Sequence, residues 1–363
     1  MKRVLSHLAP YKRAFQAVFS LAVLVALGYQ LYLVGDDLQV LFKRQLLVWV
    51  VGGVALYLLL QAMCAYKWAV LARSMGFVGA LKAYVRFYYI GMFASLFLPT
   101  IVGGDVVRIW MAARTEQPGV GQKPYTPIGL SVFSERWTGL VALLVMMAGI
   151  WLWMPTPEGL PLLPPWLLGV GLAGCGGLLA ATYRFKTLLT HRWLGGWFLH
   201  RLADQFQAVP DLASEAPDSN GPESDASVLS TPAGLSVWPN TSALSAALLL
   251  SAVFHVGVVL VQGGVLSVMG VSMTAPVWGL LFLAYGLPGL ASMFPLALNG
   301  LGVREASAVF ILTHWGGLPY SVSLLLSMVW LTILLLSALP GGVLWLKSPM
   351  HRAFSPAGAE SPA

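Results

Sequence analysis

Six stretches of this chain are each apolar for about the length that a helix needs to cross a lipid bilayer: Phe15–Val34, Leu46–Tyr66, Gly129–Trp153, Trp166–Tyr183, Ala243–Gly264 and Ser321–Leu346. In hydrocarbon every backbone N–H and C=O must be satisfied within the segment. A bundle of helices is therefore the fold that runs like these dictate. Charge content agrees. Only 10% of the residues are charged and 58% are hydrophobic, against about 25% charged in ordinary soluble domains. The mean hydropathy is +0.76. The sequence reads as an all-α polytopic membrane protein with about six full spans.

Several function classes are disfavoured by the same reading. The net charge of +7 fits loops facing anionic lipid better than a nucleic-acid partner. Cys64 and Cys175 sit alone in apolar runs, which argues against a disulfide framework or a metal cluster. The chain carries no phosphate loop, no H-E-x-x-H and no G-x-S-x-G, so neither a cofactor nor a metal is expected. Lys2, Arg3, Lys12 and Arg13 precede the first apolar run without a small-residue cleavage site, so that run is read as a retained helix.

Orientation follows from Lys and Arg in the short loops. The basic tail at 1–13 is placed in the cytoplasm. Lys43 and Arg44, beside Asp36 and Asp37, fall outside, and Lys67, Arg73, Lys82 and Arg86 return inside. The loop 155–165 has no basic residue and is placed outside. Arg184, Lys186, Arg192 and Arg201 mark the inside again, as do Lys347 and Arg352 in the cytoplasmic tail 347–363.

This count constrains Phe87–Met111, which contains "FLPTIVGGDVVRIW". Its flanks, with Arg86 on one side and Arg114 and Lys123 on the other, both belong to the cytoplasm. A re-entrant hairpin explains that: Phe87–Leu98 enters, Pro99–Gly104 turns and Asp105–Ala113 returns. The alternative is an interfacial helix followed by a cytoplasmic loop. A second stretch, "MFPLALNGLGVREA" at Met293–Ala306, repeats the pattern. Nine residues separate Pro99 from Arg108 and Pro295 from Arg304, with Gly104 and Gly300 in the same register. The apolar material from Val277 to Trp315 starts and ends outside, as one broken hairpin or as two short spans. As a hairpin it enters from the face opposite the first, which is the pattern of an inverted repeat.

The organisation that follows has a first membrane part at 14–209, an acidic linker at 210–240 and a second membrane part at 241–346. Within the first part, 184–207 reads as an amphipathic interfacial helix or equally as a charged extension of the preceding span. The linker is rich in Pro, Ser, Ala and acids and is expected to be disordered. Asn240 begins a glycosylation sequon, discounted on the cytoplasmic side.

Charges inside apolar segments cost at least ~2.5–3.5 kcal/mol each on insertion scales and read as functional by default. Three acid–base pairs stand out: Asp105 with Arg108, Glu135 with Arg136, and Arg304 with Glu305. Asp105 and Arg108 share a helix face. Glu135 and Arg136 point about 100° apart, and so do Arg304 and Glu305, so both pairs are expected to seek partners elsewhere. Asp105 or Glu305 with Arg136, and Glu135 with Arg108 or Arg304, are the combinations that balance. Such a set can be a structural ion-pair lock, a phosphate site built on arginine forks, or both. Gly103, Gly104, Gly300 and Gly302, with Pro99 and Pro295, are assigned to the backbone turns. His255 reads as a packing hydrogen-bonder before a proton relay.

The runs "PTIVGGDVVR", "SVFSERWTG" and "GLGVREA", in this order, resemble the lysylphosphatidylglycerol synthase transmembrane region, also called the flippase-like domain. The matching positions are Pro99, Gly103, Gly104, Asp105, Arg108, Ser134, Glu135, Arg136, Gly139, Gly300, Gly302, Arg304, Glu305 and Ala306. The resemblance covers about Ala14 to Leu346. It implies a polytopic bacterial or archaeal inner-membrane protein that moves a lipid between leaflets: a phospholipid, a hopanoid or a polyprenyl-linked lipid. In bifunctional members a soluble domain after this region makes the aminoacylated lipid. No such domain follows Leu346 in this sequence, so lipid movement without aminoacyl transfer is the expectation. The expected partners are a membrane lipid, with a phosphate-bearing headgroup, and a lipid-modifying enzyme. A membrane-embedded transferase with Asp105 or Glu135 as base is the alternative, as is a non-catalytic accessory role.

Overall fold

The computed structural model describes residues 44–97, 103–115, 125–153, 173–184, 236, 238–292 and 300–347, together with 21, 22, 25, 26, 28 and 29. The described residues form helices and no strands: α1 (Arg44–Ser74), α2 (Leu81–Phe97), α3 (Gly103–Thr115), α4 (Tyr125–Trp153), α5 (Thr241–Val268), α6 (Ala275–Ala291), α7 (Val303–Phe310) and α8 (Tyr320–Leu346). A π turn, Ile311–Trp315, continues α7. Residues 173–184 are also helical. Among the described residues four helices are long and apolar enough to cross a membrane, over Gln45–Ser74, Pro127–Ile150, Thr241–Val268 and Tyr320–Leu346. They match four of the six expected spans. Most of Phe15–Val34, the first part of Trp166–Tyr183, nearly all of the interfacial segment 184–207 and the linker up to 235 lie outside the described residues.

Among the described residues the buried core has two large clusters stacked along the helix axes, with a small third one of Val309 and Leu324. The lower one takes the second half of α1 (Trp68, Leu71, Met75), α2 (Tyr84, Phe87, Ile90), α3 (Ile109, Met111), the start of α4 (Ile128, Leu130) and the start of α5 (Ala243, Ala247). Leu344 and Trp345, at the end of α8, pack on it. The upper cluster takes the first half of α1 (Leu46, Leu60), the later part of α4 (Leu143, Met147), the second half of α5 (Val258, Leu266), α6 (Leu281, Phe282), Ile311, Leu312 and the first half of α8 (Leu325, Ile333). So α1 and α8 run downward while α4 and α5 run upward. These are the relative directions that the Lys and Arg count assigns to them.

The short helices sort by the same division. α2 and α3 pack into the lower cluster, whereas α6 and the π turn pack into the upper one. At 17 residues, α2 and α6 are about 25 Å long, and α3 has 13 residues. Each is shorter than the full spans. α2 with α3, and α6 with the π turn, thus pack toward opposite ends of the bundle. Outward faces are apolar: Leu47, Val48 and Leu59 on α1, Leu249 and Leu260 on α5, and Leu336 and Leu339 on α8 are exposed.

Four expectations need correction. First, α1 continues past Tyr66 to Ser74, and Lys67 is buried at 3% exposure. Lys67 therefore leaves the loop count, which still holds Arg73, Lys82 and Arg86. Second, the acidic segment ends before 236. Ser236 donates its N–H to Met75 O at 2.8 Å, and Trp238 is buried, donating from Nε1 to Thr182 O at 3.1 Å. An indole that fills a pocket and finds an acceptor holds its backbone in place. Third, Asn240, counted above as the last linker residue, is the N-cap of α5, accepting from Ala243 N. Fourth, Gly103 and Gly104 lie in helix α3 and do not turn the chain. Pro99 and Pro295 fall outside the described residues.

Gly104 has a different reason to be glycine. A Cβ there would lie 2.1 Å from Ser95 Oγ and 2.2 Å from Gly91 O, so α2 and α3 touch backbone to backbone. Gly341 of α8 is pressed against α2 in the same way, 2.0 Å from Tyr89 O. Carbonyl oxygens of a helix cannot rotate aside as a side chain can. Gly104→Ala and Gly341→Ala are each expected to lower stability by about 1–3 kcal/mol through overpacking. Gly174→Ala, which meets open space, is the control. Thermal melting of the purified variants in detergent checks this, and unchanged midpoints for the first two would refute the close approach.

Candidate functional site

Between the two core clusters lies a cavity of ≈ 750 Å³. All six charged residues singled out from sequence line it: Asp105, Arg108, Glu135, Arg136, Arg304 and Glu305. α3 brings Asp105 and Arg108, α4 brings Glu135 and Arg136, and α7 brings Arg304 and Glu305. Aliphatic side chains line it as well, Leu140, Leu143, Val258, Leu312, Leu326 and Leu334 among them.

Asp105 is held from two sides. Arg136 grips it with a two-pronged fork, Nε to Oδ2 at 3.1 Å and Nη2 to Oδ1 at 2.9 Å. Arg108 pairs with the same Oδ1 from one turn along α3. Arg108 also reaches Glu135 Oε2 at 3.5 Å. Its guanidinium lies over the Tyr88 ring at 4.5 Å and near the Trp68 ring at 5.2 Å. These aromatic faces favour a cation in a dry site. Arg108 is 2% exposed, and its Nη1 has no hydrogen-bond partner among the described residues.

Lys67 completes the network, and sequence reasoning missed it. Its ammonium meets Glu135 Oε1 at 3.1 Å, Glu135 O at 3.0 Å and Ser251 Oγ at 3.0 Å. One side chain thus ties α1, α4 and α5. The missed signal is the apolar run after Lys67, through Trp68, Ala69, Leu71 and Ala72, which places the lysine inside a helix rather than at its edge.

Cross-pairing occurs as expected for Asp105 with Arg136 and for Glu135 with Arg108. Arg304 and Glu305 depart from it by pairing with each other, Nη2 to Oε1 at 2.7 Å and Nε to Oε1 at 3.0 Å. The cause is their place in the first turn of α7. Glu305 folds back so that Oε2 accepts the Gly302 N–H at 2.7 Å, which swings the carboxylate beside Arg304. Gly300 and Gly302 have φ of +72° and +87°, the left-handed region where only glycine sits without strain. The free N–H groups at the start of α7 are thus already met in part by a carboxylate.

The network separates fixed ions from an accessible one. Lys67, Arg108 and Glu135 are buried. The Arg136 side chain is 56% exposed while still forked to Asp105, and its Nε stands 3.8 Å from Glu135. Arg304 is 26% exposed. His255 matches its expected packing role. Its Nε2 donates to Gly139 O at 3.0 Å, and its Nδ1 shares a hydrogen bond with Tyr285 OH at 2.9 Å. Cys64 and Cys175 are free.

The lysylphosphatidylglycerol synthase TM region family matches the chain over residues 18–344. The chain belongs to this family. No curated protein matches it. As a member of the lysylphosphatidylglycerol synthase TM region family it is a multi-pass membrane domain, and the ion network and its cavity lie inside the matched region.

Proposed function

We propose that this chain moves a lipid with a phosphate-bearing headgroup between the leaflets of a bacterial or archaeal inner membrane, with both termini cytoplasmic, and without chemical conversion. The observation that carries the proposal is the cavity, which joins an arginine fork to a largely aliphatic lining. A phosphate takes two parallel N–H bonds from a guanidinium as a carboxylate does. Asp105 occupies that fork, so a headgroup would enter by exchange with the carboxylate. The aliphatic lining gives the chains next to the headgroup a surface without desolvation cost. Short helices packed toward opposite ends of the bundle, α2 and α3 in one cluster and α6 in the other, suit a site reached from each side in turn.

A transferase mechanism with Asp105 or Glu135 as general base has less support. Asp105 is paired with two arginines and Glu135 with Lys67 and Arg108, so both carboxylates are tied into ion pairs and neither stands free beside the cavity to take a proton from a substrate.

Purified protein in liposomes tests the proposal through the rate at which a headgroup-labelled lipid becomes accessible to an external quencher, with the lipids afterwards analysed by mass. Protein-dependent exchange of unaltered lipid is expected. Conversion of the lipid, or exchange no faster than in empty liposomes, would refute it. The orientation is checked separately with single cysteines at Lys82 and Lys123, which should label from the same side of the membrane. Labelling from opposite sides would turn the α2–α3 hairpin into a crossing.

A further inference from the structure

The cavity carries a polar stripe that turns from charged to uncharged along the bundle. Tyr57, Gln61, Cys64 and Lys67 line it from α1, and Ser251, His255, Val258 and Gln262 line it from α5. Spacings of three and four residues put each set on one helix face. The two helices run antiparallel. Their register is fixed where Lys67 meets Ser251 at 3.0 Å and where Gly257 leaves room for Leu60. At 1.5 Å per residue, Gln61 and Tyr57 stand about 9 and 15 Å above the Lys67 level, and Gln262 about 16 Å above Ser251. The facing stripes are thus ionic at the base and neutral toward the upper cluster.

Most polar groups along the stripe have partners. His255 and Tyr285 hold each other at 2.9 Å, and Gln61 interacts with the Tyr57 hydroxyl one turn away. Gln262 differs. It is 7% exposed and lines the cavity, yet its carboxamide makes no hydrogen bond among the described residues. Its neighbours on α5, Val258, Val261, Val265 and Leu266, belong to the upper apolar cluster. A buried carboxamide left unmet is costly, and an apolar side chain at this place would avoid the cost.

Tyr57, Gln61 and Gln262 are neutral, and each can both donate and accept. A hydroxyl matches them on both counts, whereas an ester carbonyl only accepts. A phosphate is better served by the arginine fork. That fork stands near the base, because Glu135, next to Arg136, meets Lys67 at 3.1 Å.

We infer that Tyr57, Gln61 and Gln262 form a second, uncharged subsite that hydrogen-bonds the hydroxyls of a polyol or sugar headgroup whose phosphate is held at Arg136. This rests on the reading that the cavity receives a lipid headgroup.

The test uses the full chain in detergent and three short-chain lipids of one acyl length: phosphatidylinositol, phosphatidylglycerol and phosphatidylmethanol. All are monoanionic phosphodiesters, so charge stays constant while the headgroup carries a ring of hydroxyls, a short hydroxylated chain or none. Shifts of the thermal midpoint give the affinities. Phosphatidylinositol is expected to bind about tenfold or more tightly than phosphatidylmethanol, the effect of two neutral hydrogen bonds, with phosphatidylglycerol between them. Gln262→Met and Gln61→Met should each cut that ratio to about threefold or less, and either carries the comparison if the other does not accumulate. In lipid-free protein Gln262→Met should leave the midpoint unchanged or raised, since it removes an unmet polar group from an apolar cluster. A lowered midpoint with an unchanged ratio would make the carboxamide structural and overturn the subsite. Equal binding of the three lipids, or an inositol preference that both variants keep, overturns it even where leaflet exchange is seen. A hydroxyl preference lost in the variants, with no leaflet exchange of any lipid, upholds the subsite and overturns the transport reading instead. Binding of none of the three overturns the lipid reading and the subsite with it. Water-soluble glycerophosphoinositol is the last arm. Stabilisation equal to that by the lipid would make the occupant a soluble phosphodiester and remove the lipid from the proposal, whereas weak binding supports the lipid.

Discussion

Lys67→Met is expected to destabilise the folded domain by about 3–5 kcal/mol, the range for removing one partner of a buried ion pair. Methionine matches the lysine stem in length, so the change removes charge and donors with little change in shape. It leaves Glu135 Oε1 and the Glu135 carbonyl without the ammonium at 3.1 and 3.0 Å, and it cuts the link to Ser251 on α5. The Glu135 carboxylate would keep only Arg108 at 3.5 Å and Arg136 at 3.8 Å, both beyond good hydrogen-bond length. The paired change Lys67→Met with Glu135→Gln should recover much of the loss, because no uncompensated charge then stays buried. A double-mutant cycle on thermal or denaturant unfolding in detergent measures this. Strict additivity of the two single changes would mean that the pair does not act as a unit.

Arg136→Gln is expected to lower lipid movement about a hundredfold while leaving accumulation of the protein close to normal. A hydrogen bond to a charged group contributes about 1.5–3 kcal/mol, so losing a two-pronged contact is worth at least two factors of ten. Stability suffers less than at Lys67 because the Arg136 side chain is half-exposed and Asp105 retains Arg108. Arg136→Lys should fall between wild type and glutamine, since an ammonium supplies charge without the planar fork. A lysine variant as active as wild type would rule out bidentate recognition. Complete loss of folded protein in the glutamine variant would assign Arg136 to the structural lock.

The pattern of success in reading this chain has physical causes. Helix existence was legible because runs such as Ala243–Gly264 leave no other backbone solution in hydrocarbon. The relative directions of α1, α4, α5 and α8 followed from a few loop charges. Asp105–Arg136 and Glu135–Arg108 were legible because adjacent residues on a helix diverge by about 100°, which forces Glu135 and Arg136 to look elsewhere. The same rule failed for Arg304–Glu305, since the first turn of a helix offers a carboxylate unmet N–H groups to fold back on. Lys67 was misplaced because loop counting treats a lysine near the end of an apolar run as an edge marker. Gly104 was assigned to a turn, and only the approach of α2 in three dimensions shows that its missing Cβ makes room for the Gly91 carbonyl. Trp238 was hidden at the end of a segment whose composition reads as disordered, and its burial depends on Thr182, distant in sequence.

The central claim is that a lipid headgroup sits at the Asp105–Arg136 junction, and photocrosslinking tests it most directly. A phosphodiester lipid carrying a small photoreactive group on its headgroup is incorporated into liposomes with the purified chain, irradiated, and the labelled peptides are mapped by mass spectrometry. Labels are predicted on the cavity-facing residues of α3 and α4 around Arg108 and Arg136, lost in the presence of excess unlabelled lipid and strongly reduced in Arg136→Gln. Labels confined to the outward faces, at residues such as Leu47, Leu59, Leu249 and Leu339 and unaffected by Arg136→Gln, would contradict the account.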